Sequence, residues 1–235
     1  QLISESFDSG INSFDHADIY GGYTTEKSFG DAFIDTGIKR EEVFFISKCG
    51  IMYPSENLPI KTKHYDYSKD HIIKSVDNSL EYLKTDYLDC LLLHRPSPLM
   101  DINIIANTVR GLIKSGKIKN FGVSNFTADQ MNMFKGKVDI MYNQINISLT
   151  HLDHMFDGTL EYMQANDILP MAYSPLGSYF KEEDSKIKNV VDKLKNKYGC
   201  TDYQLLISWL LRHPSKVYPV IGSTKSYRIK STFES

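Results

Sequence analysis

Cysteine is scarce: three residues in 235, at positions 49, 90 and 200, too scattered for a disulfide frame and without Cys-x-x-Cys spacing for zinc. They read as reduced thiols of a cytoplasmic protein. An excess of one charge is missing too. Lys and Arg number 27 against 29 Asp and Glu, a formal net charge of -2, which removes the electrostatic motive for binding nucleic acid or a membrane surface. Apolar runs stay too short to span a bilayer, and no charged-then-apolar leader opens the chain. No Gly-x-Gly-x-x-Gly follows any apolar strand, which counts against a Rossmann sheet.

What is present is ordinary globular composition, 41% hydrophobic and 24% charged. The length fits one domain over residues 1–235 better than two. Short apolar runs at 12–15, 43–48, 88–94, 120–124, 140–144, 169–173 and 217–221 read as strands. Several, such as VFFIS and LDCLLLH, are apolar on successive residues, the pattern of a parallel strand covered on both faces. Between them lie stretches with helical spacing. Ser68 caps one that carries Ile72, Val76, Leu80 and Leu83; a second uses Ile105, Val109 and Leu112; Thr201 caps another built on Leu205, Leu206, Trp209 and Leu210. Residues 26–36, 127–135, 159–165 and 187–194 also read as helical, and 61–71 as an exposed basic loop.

This strand–helix alternation predicts an α/β fold, a (β/α)8 TIM barrel in preference to an open doubly wound sheet. Such a barrel takes about 250 residues. Seven strands in 235 residues lead us to expect that the first strand and the C-terminal tail lie outside this chain.

In parallel α/β folds chemistry collects at the carboxyl ends of strands. Here nearly every strand ends on a polar residue: Asp15, Lys48, His94, Ser124-Asn125, Gln144 and Tyr173-Ser174. Each alone has a plain structural explanation, such as a turn cap or a solvated ammonium. Lys48 is the exception, because it follows Phe44, Phe45 and Ile46 and should have its stem buried. A buried ammonium needs an anion or performs chemistry, and Asp15 ends the preceding strand. A phenol ordinarily keeps its proton to about pH 10, and a neighbouring ammonium favours the phenolate. Tyr20, in the loop after Asp15, is placed to be an acid toward a carbonyl oxygen.

These residues lie in motifs that resemble the aldo-keto reductase family. GINSFDHADIYGGYTTEKSFG is similar to its signature, with Asp15, Ala17, Tyr20, Gly21, Glu26 and Gly30 in the family's places. FFISKCG carries Lys48, LDCLLLHRPSP carries His94, and FGVSNF carries Ser124 and Asn125. YNQINIS carries Gln144, MAYSPLG carries Tyr173, Ser174, Pro175, Leu176 and Gly177, and VIGSTKSYRIK carries Ser223, Thr224, Lys225 and Arg228. The resemblance covers the chain in order, and its wording is closest to a bacterial branch of NADPH-dependent oxidoreductases.

It implies a barrel that binds NADP(H) and reduces small aldehydes or ketones to alcohols. Tyr20 would donate the proton, Lys48 held by Asp15 would support it, and His94 would orient the carbonyl. Ser124, Asn125 and Gln144 would hold the nicotinamide carboxamide, and Tyr173 would stack on its ring. Ser223, Thr224, Lys225 and Arg228 would take the adenosine phosphate, two cations favouring NADP over NAD. Gly222 stands where the family commonly has proline. Three other readings compete with this one, beside a weaker reading of His16 and Asp18 next to Asp15 as part of a metal-hydrolase barrel, for which strand-end histidines are too few. The first is a cofactor-binding regulatory barrel with little turnover, like potassium-channel β subunits. The second is a Schiff-base aldolase using Lys48, and the third a metal site at His151 and His154.

Overall fold

The computed structural model describes residues 1–181 and 185–233. The chain forms two compact units, one of Asn12–Asn143 and one of residues 144–235 with most of 1–11. After α1 (Leu2–Asp8), the first unit runs β1 (Ser13–Asp15), α2 (Thr25–Ile34), β2 (Phe44–Cys49), β3 (Ile51–Met52), β4 (His64–Tyr65) and α3 (Lys69–Leu83). It continues with β5 (Leu88–Leu93), α4 (Ile102–Lys114), β6 (Ile118–Ser124) and α5 (Ala128–Asn132). The strand β7 (Tyr142–Asn146) carries the chain into the second unit. There follow α6 (Thr159–Ala165), β8 (Leu169–Tyr173), α7 (Ser185–Tyr198), α8 (Asp202–Leu211), β9 (Tyr218–Pro219) and α9 (Ser226–Phe233).

Within the first unit β1, β2, β5 and β6 are neighbours in that order, and every pairing is parallel. The register sets Asp15 opposite Ile46, Lys48 opposite Leu92 and Leu93 opposite Val123. Parallel strands put all their carboxyl ends on one edge, so Asp15, Lys48, His94 and Ser124 share it. In the second unit β8 and β9 are likewise parallel, with Met171 opposite Tyr218. The alternation is that of the (β/α)8 class expected from the sequence.

The helices form for the reasons their sequences give. The Ser68 hydroxyl accepts from the His71 amide at the start of α3, Asp101 accepts from the Asn103 and Ile104 amides at α4, and Thr201 with Gln204 makes a capping box at α8. Each such cap stabilises its helix by about 1 kcal/mol. Gly30 lets α2 lie on the end of α3. A Cβ there would stand 2.0 Å from the Tyr82 carbonyl oxygen.

Several bounds shift by one to three residues from the sequence reading, as at β7 (Tyr142–Asn146 rather than 140–144) and β6 (Ile118–Ser124 rather than 120–124), and two elements differ more. The stretch 61–71 is not all loop, since His64 and Tyr65 pair antiparallel with Met52 and Ile51. The last strand is Tyr218–Pro219 rather than 217–221. Both elements are two residues long, too short for any periodicity to show.

One core contact is purely structural. Asp89 is buried in β5, where its Oδ2 accepts from the Phe45 amide (2.9 Å) and from Arg40 Nη2 (2.7 Å). The Arg40 guanidinium also donates to Thr85 Oγ1 and to the carbonyls of Val43 and Tyr87, and it lies 4.1 Å from the centroids of both the Phe45 and Tyr87 rings. A planar fork satisfies four acceptors at once; an ammonium cannot. Arg40→Lys is therefore expected to cost about 1–3 kcal/mol, seen as a lower urea midpoint at unchanged slope.

Candidate active site

Lys48 is fully buried on β2, yet its ammonium is fully partnered. Nζ donates to Asp15 Oδ2 (2.6 Å), to the His16 carbonyl (2.8 Å) and to Tyr20 Oη (3.2 Å). An ammonium has three protons, and these three acceptors use all of them. The consequence falls on Tyr20. Its oxygen accepts from Lys48, so its own O–H points elsewhere. Tyr20 is 37% exposed.

Tyr20 owes its place to a turn. It opens a short helical turn in which Gly21, Gly22 and Tyr23 take φ of 59°, 65° and 71°, the left-handed region. Gly21 and Gly22 adopt it freely; Tyr23 does so against its preference. Tyr23 Oη in turn accepts from the Tyr53 amide.

His94 follows the last residue of β5, and its amide donates to the Cys49 carbonyl. Its ring meets the Tyr20 ring edge to face, centroids 5.8 Å apart. Nδ1 is buried without a hydrogen-bond partner among the described residues. Burial first, then the charges of Lys48, Arg95 and Lys63, push its pKa down to about 3, so His94 is a neutral imidazole at physiological pH. The backbone beyond it is fastened by Tyr67, whose hydroxyl donates to the Arg95 carbonyl and accepts from the Arg95 amide. The Tyr67 ring fits only because residue 50 is glycine, at φ 105°. A Cβ would stand 2.0 Å from Tyr67 Cε1.

Behind Tyr20 and Lys48 lies a second polar layer that the sequence reading did not assign. The Asp18 carboxyl is buried although the residue is only partly so. Its Oδ2 accepts from Ser75 Oγ (2.8 Å), and its Oδ1 has no partner among the described residues. Burial, reinforced by the Glu26 charge, pushes its pKa up to about 7 against the hydrogen bond from Ser75. Glu26, on α2, is buried and accepts from the hydroxyls of Ser47 and Ser79; burial pushes its carboxyl up as well. His16 is buried against Phe29 and Phe45, and burial followed by the Lys48 charge pushes it down to about 3.

The proposed cofactor residues divide between the two units. In the first, Ser124 ends β6 and is buried. Asn125 follows at φ 61° with its side-chain Nδ2 donating to Ser124 Oγ at 2.8 Å. In the second, Gln144 is buried in β7, and Tyr173 ends β8. Ser174 (φ 50°) and Gly177 (φ 53°) shape the turn that also holds Pro175 and Leu176, closed by the Gly177 amide on the Ser174 carbonyl. A Cβ at Gly177 would lie 2.2 Å from Thr150 Oγ1, so only glycine fits.

Ser223, Thr224 and Lys225 precede α9, whereas Arg228 lies in its first turn and not before it. Ser223 Oγ already accepts from the Lys225 amide. The Arg228 guanidinium carbon lies 5.6 Å from the Tyr203 ring centroid and 5.9 Å from that of Tyr227. Neither Lys225 nor Arg228 has an acidic partner among the described residues, a state that suits an anion. The residues present therefore fit a phosphorylated dinucleotide. His151 and His154 face Asp153 and Asp157, and no group of three metal-ligating side chains occurs among the described residues. None of the described helices is long and apolar enough to cross a membrane.

Comparison with known proteins places this geometry in context. The family model described as "Aldo/keto reductase family" matches residues 1–235. The chain is 41% identical to "Uncharacterized oxidoreductase YcsN" of Bacillus subtilis, over 98% of this chain and 80% of that protein. It is 37% identical to a 6-dehydroglucose reductase of Agrobacterium fabrum, over 94% and 76% respectively. Among solved structures it is similar to an aldo/keto reductase from Klebsiella pneumoniae in complex with NADP and acetate. That likeness has a TM-score of 0.83 at 25% identity and covers 99% of this chain and 77% of that one.

Proposed function

Because the chain belongs to the aldo/keto reductase family, we propose that this oxidoreductase reduces an aldehyde or ketone to an alcohol with NADPH, Tyr20 serving as the proton donor. The observation that carries this reading is the filled donor set of Lys48, which leaves the Tyr20 O–H directed away from it. NADPH, when bound, supplies the hydride to the carbonyl carbon. Tyr20 gives its phenolic proton to the carbonyl oxygen, and Lys48 then faces the phenolate left on Oη at hydrogen-bond distance. His94, held neutral, cannot be the acid; it offers a ring N–H that orients the carbonyl oxygen between itself and Tyr20. Asp15 balances the Lys48 charge so that the ammonium stays buried and fixed.

For the cofactor, Ser124, Asn125 and Gln144 would hold the nicotinamide carboxamide, and Tyr173 would stack on its ring. The turn from Ser174 through Pro175 and Leu176 to Gly177 supports the diphosphate. Ser223, Thr224, Lys225 and Arg228 would hold the adenosine phosphate, and the two cations, which have no acidic partner among the described residues, favour NADP over NAD. Fixing one face of the ring beside an oriented carbonyl is what hydride transfer requires. The test is NADPH oxidation followed at 340 nm against a panel of aldehydes, ketones, α-dicarbonyls and 6-dehydroglucose. We expect carbonyl-dependent turnover with NADPH preferred to NADH. No turnover with any member, from a protein that binds NADPH, would overturn the proposal.

A further inference from the structure

Between Asp18 and Glu26 the chain presents Tyr20 on one short turn that runs on through three consecutive left-handed positions, Gly21, Gly22 and Tyr23, and is held within itself only by local bonds such as the Gly22 amide on the Ile19 carbonyl and the Thr24 amide on the Tyr20 carbonyl. On its outer side, Asn57 Nδ2 and Ser55 Oγ reach the Gly22 carbonyl, and the Tyr53 amide donates to Tyr23 Oη. On its inner side, it is fastened at both ends to one helix. Asp18 accepts from Ser75 Oγ at 2.8 Å, and Glu26 accepts from Ser79 Oγ at 3.1 Å. Ser75 and Ser79 are four residues apart on α3, hence on one face, and 5% and 2% exposed. That face is otherwise apolar, with Ile72, Val76 and Leu83 buried. Two hydroxyls in a core stripe have no packing purpose that alanine would not serve as well. Glu26 also accepts from Ser47, the residue before Lys48, so the same fastening reaches the ammonium.

We propose that Ser75 and Ser79 are positioning residues for the reaction, a double clasp on α3 that holds the Tyr20 turn through Asp18 and Glu26 at hydrogen-bond distance from Lys48. The role rests on Tyr20 being the proton donor, and its two consequences are separable. Without the clasp the turn opens more often, and Tyr20 spends less time where its proton can be transferred. Misplacement of about 1 Å costs up to roughly 100-fold in rate. Cofactor binding, which does not involve α3, is untouched.

The experiment compares wild type with Ser75→Ala, the Ser75→Ala/Ser79→Ala pair, Ser75→Thr and Tyr20→Phe. Amide hydrogen exchange of the cofactor-free protein should speed up about tenfold or more over residues 19–24 in the double variant, and stay unchanged over α4. Its kcat should fall about 10- to 100-fold with the carbonyl KM and NADPH affinity within about twofold. Ser75→Thr, which keeps a hydroxyl, should recover most of the rate lost in Ser75→Ala. If the double variant does not fold, Ser75→Ala alone is read in the same way. Unchanged exchange over 19–24 would refute the clasp whatever the activity. Faster exchange with unchanged kcat would refute the positioning role. If Tyr20→Phe is as active as wild type, the proton-donor reading falls, and the exchange result still decides the clasp.

Discussion

Tyr20→Phe is expected to lower kcat for carbonyl reduction by roughly 100- to 10,000-fold, the range for loss of a positioned general acid, while NADPH affinity stays within a few-fold of wild type. The substitution keeps the ring, so its edge-to-face contact with His94 survives. What it removes is one oxygen, at once the proposed proton source and the third acceptor of the buried Lys48 ammonium. No other group can take over. His94 stays neutral, and Lys48 has two of its three protons committed to Asp15 and the His16 carbonyl, while the third stays on a buried ammonium paired with Asp15. The stability of the variant should fall by about 1–3 kcal/mol, because one ammonium proton is left without a partner in the interior. A regulatory barrel with little turnover predicts a different result. There the substitution would leave both NADPH binding and the small residual activity where they were. Steady-state rates together with NADPH fluorescence titration separate the two.

The legible part of this molecule follows from where the chain is buried on both sides. In β5 every residue from Leu88 to Leu93 is buried, so the strand announces itself as a continuous apolar run. The same burial made its one acidic member, Asp89, unreadable, because its partner Arg40 comes from 49 positions earlier. Asp15, Lys48 and His94 could be singled out because a polar residue ending an apolar strand is conspicuous, and parallel pairing then sets such ends side by side. The His16 carbonyl that completes the Lys48 shell is a backbone group and leaves no mark in a sequence. The clasp did leave one. Ser75 and Ser79 interrupt the apolar stripe of α3 at a four-residue interval, a signal easily passed over because serine is common on helix surfaces. Asp18 was hidden differently, as one more acidic residue in a polar loop whose carboxyl happens to turn inward.

That inward turn carries a cost with a definite sign. An aspartate in the unfolded chain loses its proton near pH 3.9, whereas burial pushes the folded Asp18 up to about 7. Between those values the folded protein binds more protons than the unfolded one, so this group's contribution to stability falls as pH rises from about 4 to 7. Above neutrality it levels off, with the ionised, half-partnered carboxylate costing on the order of 4 kcal/mol. Asp18→Asn keeps an oxygen for Ser75 and abolishes the charge. It is expected to stabilise the protein at pH 8 by about 2–4 kcal/mol, with the advantage shrinking toward zero at pH 4. Urea unfolding at pH 4, 6 and 8 measures it, and an equal gain at every pH would show that packing and not ionisation is responsible. The Glu26 carboxyl is also pushed up by burial, so its charged form opposes folding in the same sense. Buried carboxyls that oppose folding are characteristic of sites where position matters more than stability. Here the two carboxyls flank the turn that presents Tyr20, and the folding energy they forfeit is the cost of holding that turn from within.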